Sequence, residues 1–221
     1  MKKGRKVLLI LLTLILVFNS SSIYAKKFQD TRGHWARSYI SRLTDIGLMS
    51  GYDGNMFKPD ANISRAEFYS VVNQMAGLKK TYTVTFTDVS PSDWYYTDVA
   101  KAIKAGYLIP TTGKLNPNNP VTRQEVTAIL GYMYKMTPDE SILKKFKDSS
   151  EIMSVNRGYT GALVKLKIVN GYEDGSFRPN AGISRAEISK IICLLIDNYG
   201  LPGERVVVDS KIKFGERDLY N

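Results

Sequence analysis

Ile63-Ser64-Arg65-Ala66-Glu67 decides the fold, because it returns twice, as Val121-Thr122-Arg123-Gln124-Glu125 and as Ile183-Ser184-Arg185-Ala186-Glu187. A Ser or Thr followed three residues later by Glu is a capping box. The hydroxyl accepts from the N3 backbone N–H, and the Glu carboxylate reaches back to the N-cap N–H. Ser64, Thr122 and Ser184 therefore each start a helix. The residues that follow agree. Phe68, Val71, Val72 and Met75 fall at i, i+3, i+4 and i+7, and so do Val126, Ile129, Leu130 and Met133, and Ile188, Ile191, Ile192 and Leu195. Three stripes of this period predict three amphipathic helices.

Upstream of each box lies a second recurring element, F-x-D, at Phe28-Gln29-Asp30, Phe86-Thr87-Asp88 and Phe146-Lys147-Asp148. Two motifs in step define a unit of about 60 residues. An earlier helix is predicted in each unit, over 34–46, 94–105 and 156–166. The first two meet Gly47 and Gly106 as C-caps, whereas Lys167 replaces the glycine in the third. The loops GYDGNMFKPDAN and GYEDGSFRPNAG carry turn residues, and the second loop, IPTTGKLNPNNP, departs from them. Phe57-Lys58-Pro59 and Phe177-Arg178-Pro179 read as short extended pieces. A single helix pair cannot bury its apolar stripe alone, and three can. The expected fold is all-α, three helix–loop–helix repeats in a pseudo-threefold bundle of the capped helices.

The chain begins with Lys2, Lys3, Arg5 and Lys6, an apolar run from Val7 to Phe18 broken only by Thr13, then Ser20–Ser22 and Ala25. That pattern predicts a signal peptide over 1–25. The alternative is an uncleaved anchor, although the run is short of the roughly 20 residues of a span. No later segment is apolar enough to cross a bilayer. The expected divisions are 1–25, repeats at 26–80, 81–138 and 139–198, and a tail at 199–221 of unassigned role, which could dock a protein partner. Four of the 31 basic residues lie in 1–25, which leaves 27 against 21 acidic ones, a net charge of about +6. That favours anionic partners without choosing among them. The absence of a basic–aromatic stripe argues against nucleic acid. Cys193 is the only cysteine. In its apolar setting it reads as a buried, inert thiol. An exported chain without disulfides fits a bacterial exterior.

The units resemble S-layer homology repeats over about residues 26–198. The resemblance rests on the F-x-D triplets, His34-Trp35-Ala36, the Gly-Tyr and Asp-Gly pairs of the loops, and the Ser-Arg-Ala-Glu ends. It implies a three-pronged spindle around a helical bundle. It also implies non-covalent attachment of exported proteins to a secondary cell-wall polysaccharide on bacterial peptidoglycan. The ligand would be anionic, with a pyruvate ketal on a mannosamine-type sugar, held in clefts between repeats by the arginine of the box and the aspartate of F-x-D. The copies are unequal, since the second has Thr-Arg-Gln-Glu and the third has Val155 where the others have Trp35 and Trp94.

Each candidate ligand residue has a structural reading beside the functional one. Arg65, Arg123 and Arg185 sit at N1, where the helix dipole disfavours a cation. Either they and free N–H groups receive a carboxylate, or they pair with Asp30, Asp88 and Asp148. Those aspartates could instead accept from sugar hydroxyls or cap the first helices. Trp35 and Trp94 could stack on a sugar, but a Trp opening an amphipathic helix reads first as core. Tyr52 and Tyr172, in polar loops, are better sugar contacts. The boxes occupy Glu67, Glu125 and Glu187, so no spare carboxylate pair is left for a hydrolase. With one histidine, His34, no metal cluster, cofactor loop or catalytic triad is expected, and the chain reads as a non-enzyme.

Overall fold

A computed structural model describes residues 28–202. The leader reading of 1–25 and the tail from 203 onward lie outside the described residues. Six helices appear in order: α1 (Arg37–Asp45), α2 (Arg65–Met75), α3 (Tyr96–Ala105), α4 (Arg123–Met133), α5 (Ser154–Lys165) and α6 (Arg185–Tyr199). Short 3-10 turns and isolated bridges join them, so the described chain is all-α, as expected.

All three boxes form. Ser64 Oγ accepts from Glu67 N, Thr122 Oγ1 from Glu125 N and Ser184 Oγ from Glu187 N, and each Glu returns the bond to its N-cap N–H at 2.8–2.9 Å. Just before the caps, the backbone closes a ring. Ile63 N donates to Ile183 O, Val121 N to Ile63 O and Ile183 N to Val121 O, at 3.1, 3.1 and 3.3 Å. All three side chains are fully buried. One bond from each repeat to the next, closing after three, is the pseudo-threefold relation that the repeats predict.

Close helix packing runs between repeats. α2 lies against α3, α4 against α5, and α6 returns to α1. The apolar core is accordingly continuous through all three units. The α4–α5 pair is the most extensive of the three. There the Tyr159 side chain covers Gly131, and the Asp139 carbonyl lies where a Cβ on Gly161 would stand.

Two local expectations are corrected. α1 and α3 start at Arg37 and Tyr96, after both tryptophans. The buried places at the helix starts go to Ala36 and Tyr95, leaving Trp35 and Trp94 on the preceding turns, 55% and 63% exposed. The core reading of the tryptophans therefore fails. Second, Lys58 and Arg178 are not extended: their φ values are +57°, and Asn116 in the second loop has +54°. Such left-handed residues cost about 1 kcal/mol or more and need a compensating contact. The third first-helix ends with Lys167 at φ +58°, so a lysine adopts the conformation that Gly47 and Gly106 supply elsewhere.

Candidate functional site

The contact that holds the left-handed loop residues is the F-x-D aspartate. Asp30 accepts from Phe57 N and Lys58 N at 2.9 and 2.7 Å. Asp88 does the same with Leu115 N and Asn116 N, both at 2.8 Å, and Asp148 with Phe177 N and Arg178 N at 2.8 and 2.7 Å. Each carboxylate thus pins its own loop. The aspartates neither cap the first helices nor pair with the box arginines, as those two readings had them. The motif's phenylalanine packs on the same loop: Phe28 meets Phe57, and Phe146 meets Phe177, each at 5.4 Å between ring centres. Those rings lie so close to Gly51 and Gly171 that a Cβ would fall 2.1 and 2.3 Å from a ring carbon. This close approach explains the glycine of each Gly-Tyr pair.

The arginines reach into the next repeat. Arg65 gives Nε and Nη2 to Glu125, at 2.9–3.2 Å, and Nη1 to the Leu115 and Asn116 carbonyls. Arg123 bonds Glu187, Phe177 O and Asn170 O, each at 3.0 Å. Arg185 bonds Phe57 O and Ser50 O and stands 3.7 Å from Glu67. Arg123 and Arg185 are only 4% exposed. In two of the repeats the guanidinium also lies over aromatic rings, Arg123 on Tyr172 and Phe177, and Arg185 on Tyr52 and Phe57. The second loop has no such tyrosine, and Arg65 takes both oxygens of Glu125 instead.

Each box glutamate divides its oxygens. Oε2 serves its own cap, while Oε1 faces the arginine of the preceding repeat in the cycle. A cation at N1 is tolerated because the next repeat's carboxylate is delivered to it. The helix N–H groups are also occupied. Arg65 N donates to Asn119 O, Arg123 N to Ala181 O and Arg185 N to Ala61 O, and the following N–H of each helix finds Pro117, Pro179 or Pro59. The expectation of free N–H groups at these helix ends is therefore corrected, since loop carbonyls of the neighbouring repeat satisfy them.

Tyr52 and Tyr172 are half-buried and give their hydroxyls to Glu67 and Glu187. Burial and the Glu67 bond push the Tyr52 phenol up to about 12. Burial raises the Glu67 carboxyl, but the bonds from Tyr52 and Ser64 and the charge of Arg185 outweigh it, so the net displacement is downward. A carboxyl depressed in the folded state adds stability above its unfolded value of 4.5, and that stability is lost as pH falls through the lower folded value. The thermal midpoint of Glu67→Gln is therefore expected to fall below wild type at pH 6, with the gap closing toward pH 3. The Cys193 thiol is buried in α6, and burial pushes it up to about 11, consistent with an inert thiol.

The S-layer homology domain model matches residues 27–68, 85–127 and 145–188, more than half of the chain. The chain belongs to the S-layer homology family. It is similar to an amylopullulanase of Thermoanaerobacterium thermosulfurigenes, at 32% identity over 80% of this chain and 10% of that protein. It is also similar to an S-layer protein of Bacillus thuringiensis subsp. finitimus, at 28% over 79% of this chain and 22% of that one. A cellulosome-anchoring protein of Acetivibrio thermocellus matches at 35% identity over 35% of this chain and 18% of its own length. The chain thus spans about a tenth to a fifth of the length of these relatives.

The three seams of this S-layer homology triplet are not alike. On the seam where α6 meets α1, exposed Trp35 has the Lys190 ammonium 6.0 Å from its ring centre, and His34 Nε2 lies 3.1 Å from Asp60. Exposed Trp94 stands beside the α2–α3 seam, edge-on to Tyr95. The α4–α5 seam has Val155 in the tryptophan's place and is filled by Gln124, where the other boxes carry Ala66 and Ala186. Gln124 Oε1 accepts from Met153 N and Asn156 Nδ2, and Gln124 Nε2 donates to Asn180. Lys190 carries no local signal, because only the α6–α1 packing brings it to Trp35.

Proposed function

We propose that this triplet attaches an exported protein non-covalently to the bacterial cell wall. The ligand is an anionic, pyruvylated secondary polysaccharide taken into the seams between repeats, and no catalysis is involved. Family membership and the likeness to S-layer and cellulosome-anchoring proteins support wall anchoring. Residues 1–25 act as the export signal. Among the described residues no helix is long and apolar enough to cross a membrane.

The observation that carries the glycan reading is Trp35 beside Lys190, an exposed ring for a sugar face next to a cation that makes no ion pair with any described residue. Trp94 offers the second platform. Tyr52 and Tyr172 form the half-buried flanks, Asp30, Asp88 and Asp148 hold the loop walls, and Arg65, Arg123 and Arg185 hold the walls together. The α6–α1 seam binds most strongly, and the α4–α5 seam, plugged by Gln124, binds least.

Co-sedimentation of residues 26–221 with wall sacculi, intact or stripped of secondary polysaccharide, tests this. The protein is expected to pellet with intact sacculi only, and Trp35→Ala and Lys190→Ala are each expected to weaken binding about tenfold. Equal pelleting with stripped sacculi would refute the polysaccharide reading. No pelleting with either would point to a protein partner, with the tail at 199–221 as its first candidate contact.

A further inference from the structure

The chain that leads from α2 to α3 folds back over α3, where Tyr82 N donates to Ala100 O at 3.0 Å. The crossing leaves an open hollow of about 500 Å³ lined by Thr81, Tyr82, Thr83, Tyr96, Thr97 and Ala100. Its lining is unlike the seams. No carboxylate and no arginine line it, and the Lys104 ammonium lies 5.9 Å from the Tyr82 ring centre. Tyr82 is 56% exposed, while Tyr96 is half-buried against the core and thereby held in place. The hydroxyls of Thr81, Tyr82, Thr83, Tyr96 and Thr97 have no hydrogen-bond partner among the described residues.

Two aromatic rings and five uncommitted hydroxyls around a solvent-open hollow match one chemical class well. A saccharide presents a C–H face to a ring and a rim of hydroxyls that both donate and accept. A phosphate or carboxylate ligand would find no cation among the lining residues and so no arginine fork. An apolar segment would strand the hydroxyls, at the cost of their desolvation. We infer that this hollow is a second glycan subsite, selective for an uncharged saccharide and separate from the seams. It does not depend on the seam reading, because none of its residues belongs to the box or to F-x-D, and Tyr96 only closes, through its backbone N–H, the turn that carries Trp94.

The test is amide NMR of the full chain titrated with two neutral probes, N,N′,N″-triacetylchitotriose and cellotriose. Shifts are expected over 81–83 and 96–100 with at least one probe, and the probe that works tells whether the saccharide is N-acetylated. Tyr82→Ala, an exposed substitution that leaves the core intact, should weaken that response about tenfold, and Trp35→Ala should leave it unchanged. Absence of shifts in these segments with both probes would overturn the proposal, as would an undiminished response in Tyr82→Ala. Loss of the response in Trp35→Ala would also overturn it, by reassigning the binding to the seam.

Discussion

Arg123→Ala is expected to cost about 3–5 kcal/mol of stability, read as a shift of the urea midpoint. The guanidinium is 4% exposed and makes three bonds across the seam, to Glu187, Phe177 O and Asn170 O. Removing it leaves two carbonyls without their donor and the Glu187 carboxylate, still held by Tyr172 and its own cap, without its countercharge in a place water reaches poorly, and truncating one partner of a buried pair costs far more than removing both. The double variant Arg123→Ala/Glu187→Gln should therefore lose less than the sum of the two single changes. A midpoint within error of wild type would mean that the guanidinium is dispensable to the fold and free to serve a ligand. The measurement thus separates the structural role from the one its N1 position suggests.

A chain ending at Pro138 is expected to lose cooperative unfolding altogether, as followed by near-ultraviolet circular dichroism on heating. The loss would not be confined to the missing third. α1 would lose α6, α4 would lose its most extensive neighbour, Glu67 would lose Arg185, and the Ile63–Val121–Ile183 ring would open. Apolar surface on both remaining units would be exposed at once. A permuted chain with the third repeat joined ahead of the first keeps every seam and should keep a sharp transition. A sharp transition in the truncated chain instead would show that each repeat folds by itself.

The capped helices and their starts were legible because the signals are local. A capping box spans four residues and an amphipathic stripe three turns, and both returned at about 60-residue spacing. The first helices were misplaced by two or three residues at their starts, and that error alone put the tryptophans in the core. Nothing in the local pattern says that the N–H of Ala36 turns to His34 Nδ1 and delays the helix. The residue before a proline normally favours extended backbone, yet Lys58 and Arg178 are left-handed. The Asp30 and Asp148 carboxylates, 28 and 30 residues upstream, override the preference. The arginine partners lay further off. Arg65 finds Glu125 60 residues away and Arg123 finds Glu187 at 64. A glutamate already assigned to a cap gave no hint that its second oxygen was committed elsewhere.

The return of α6 to α1 also sets how the molecule answers a pull. Tension arriving along the chain past Tyr199 enters α6, and α6 is gripped by the first repeat. Arg42 pairs with Asp197 near the end of α6, and Arg185 bonds a carbonyl 128 residues earlier in the chain. The last repeat cannot be peeled away while the first stays untouched, because the seam under tension belongs to both. Drawn in a single-molecule trap, the triplet should rupture in one event, as a clasp does, and not as three successive extensions.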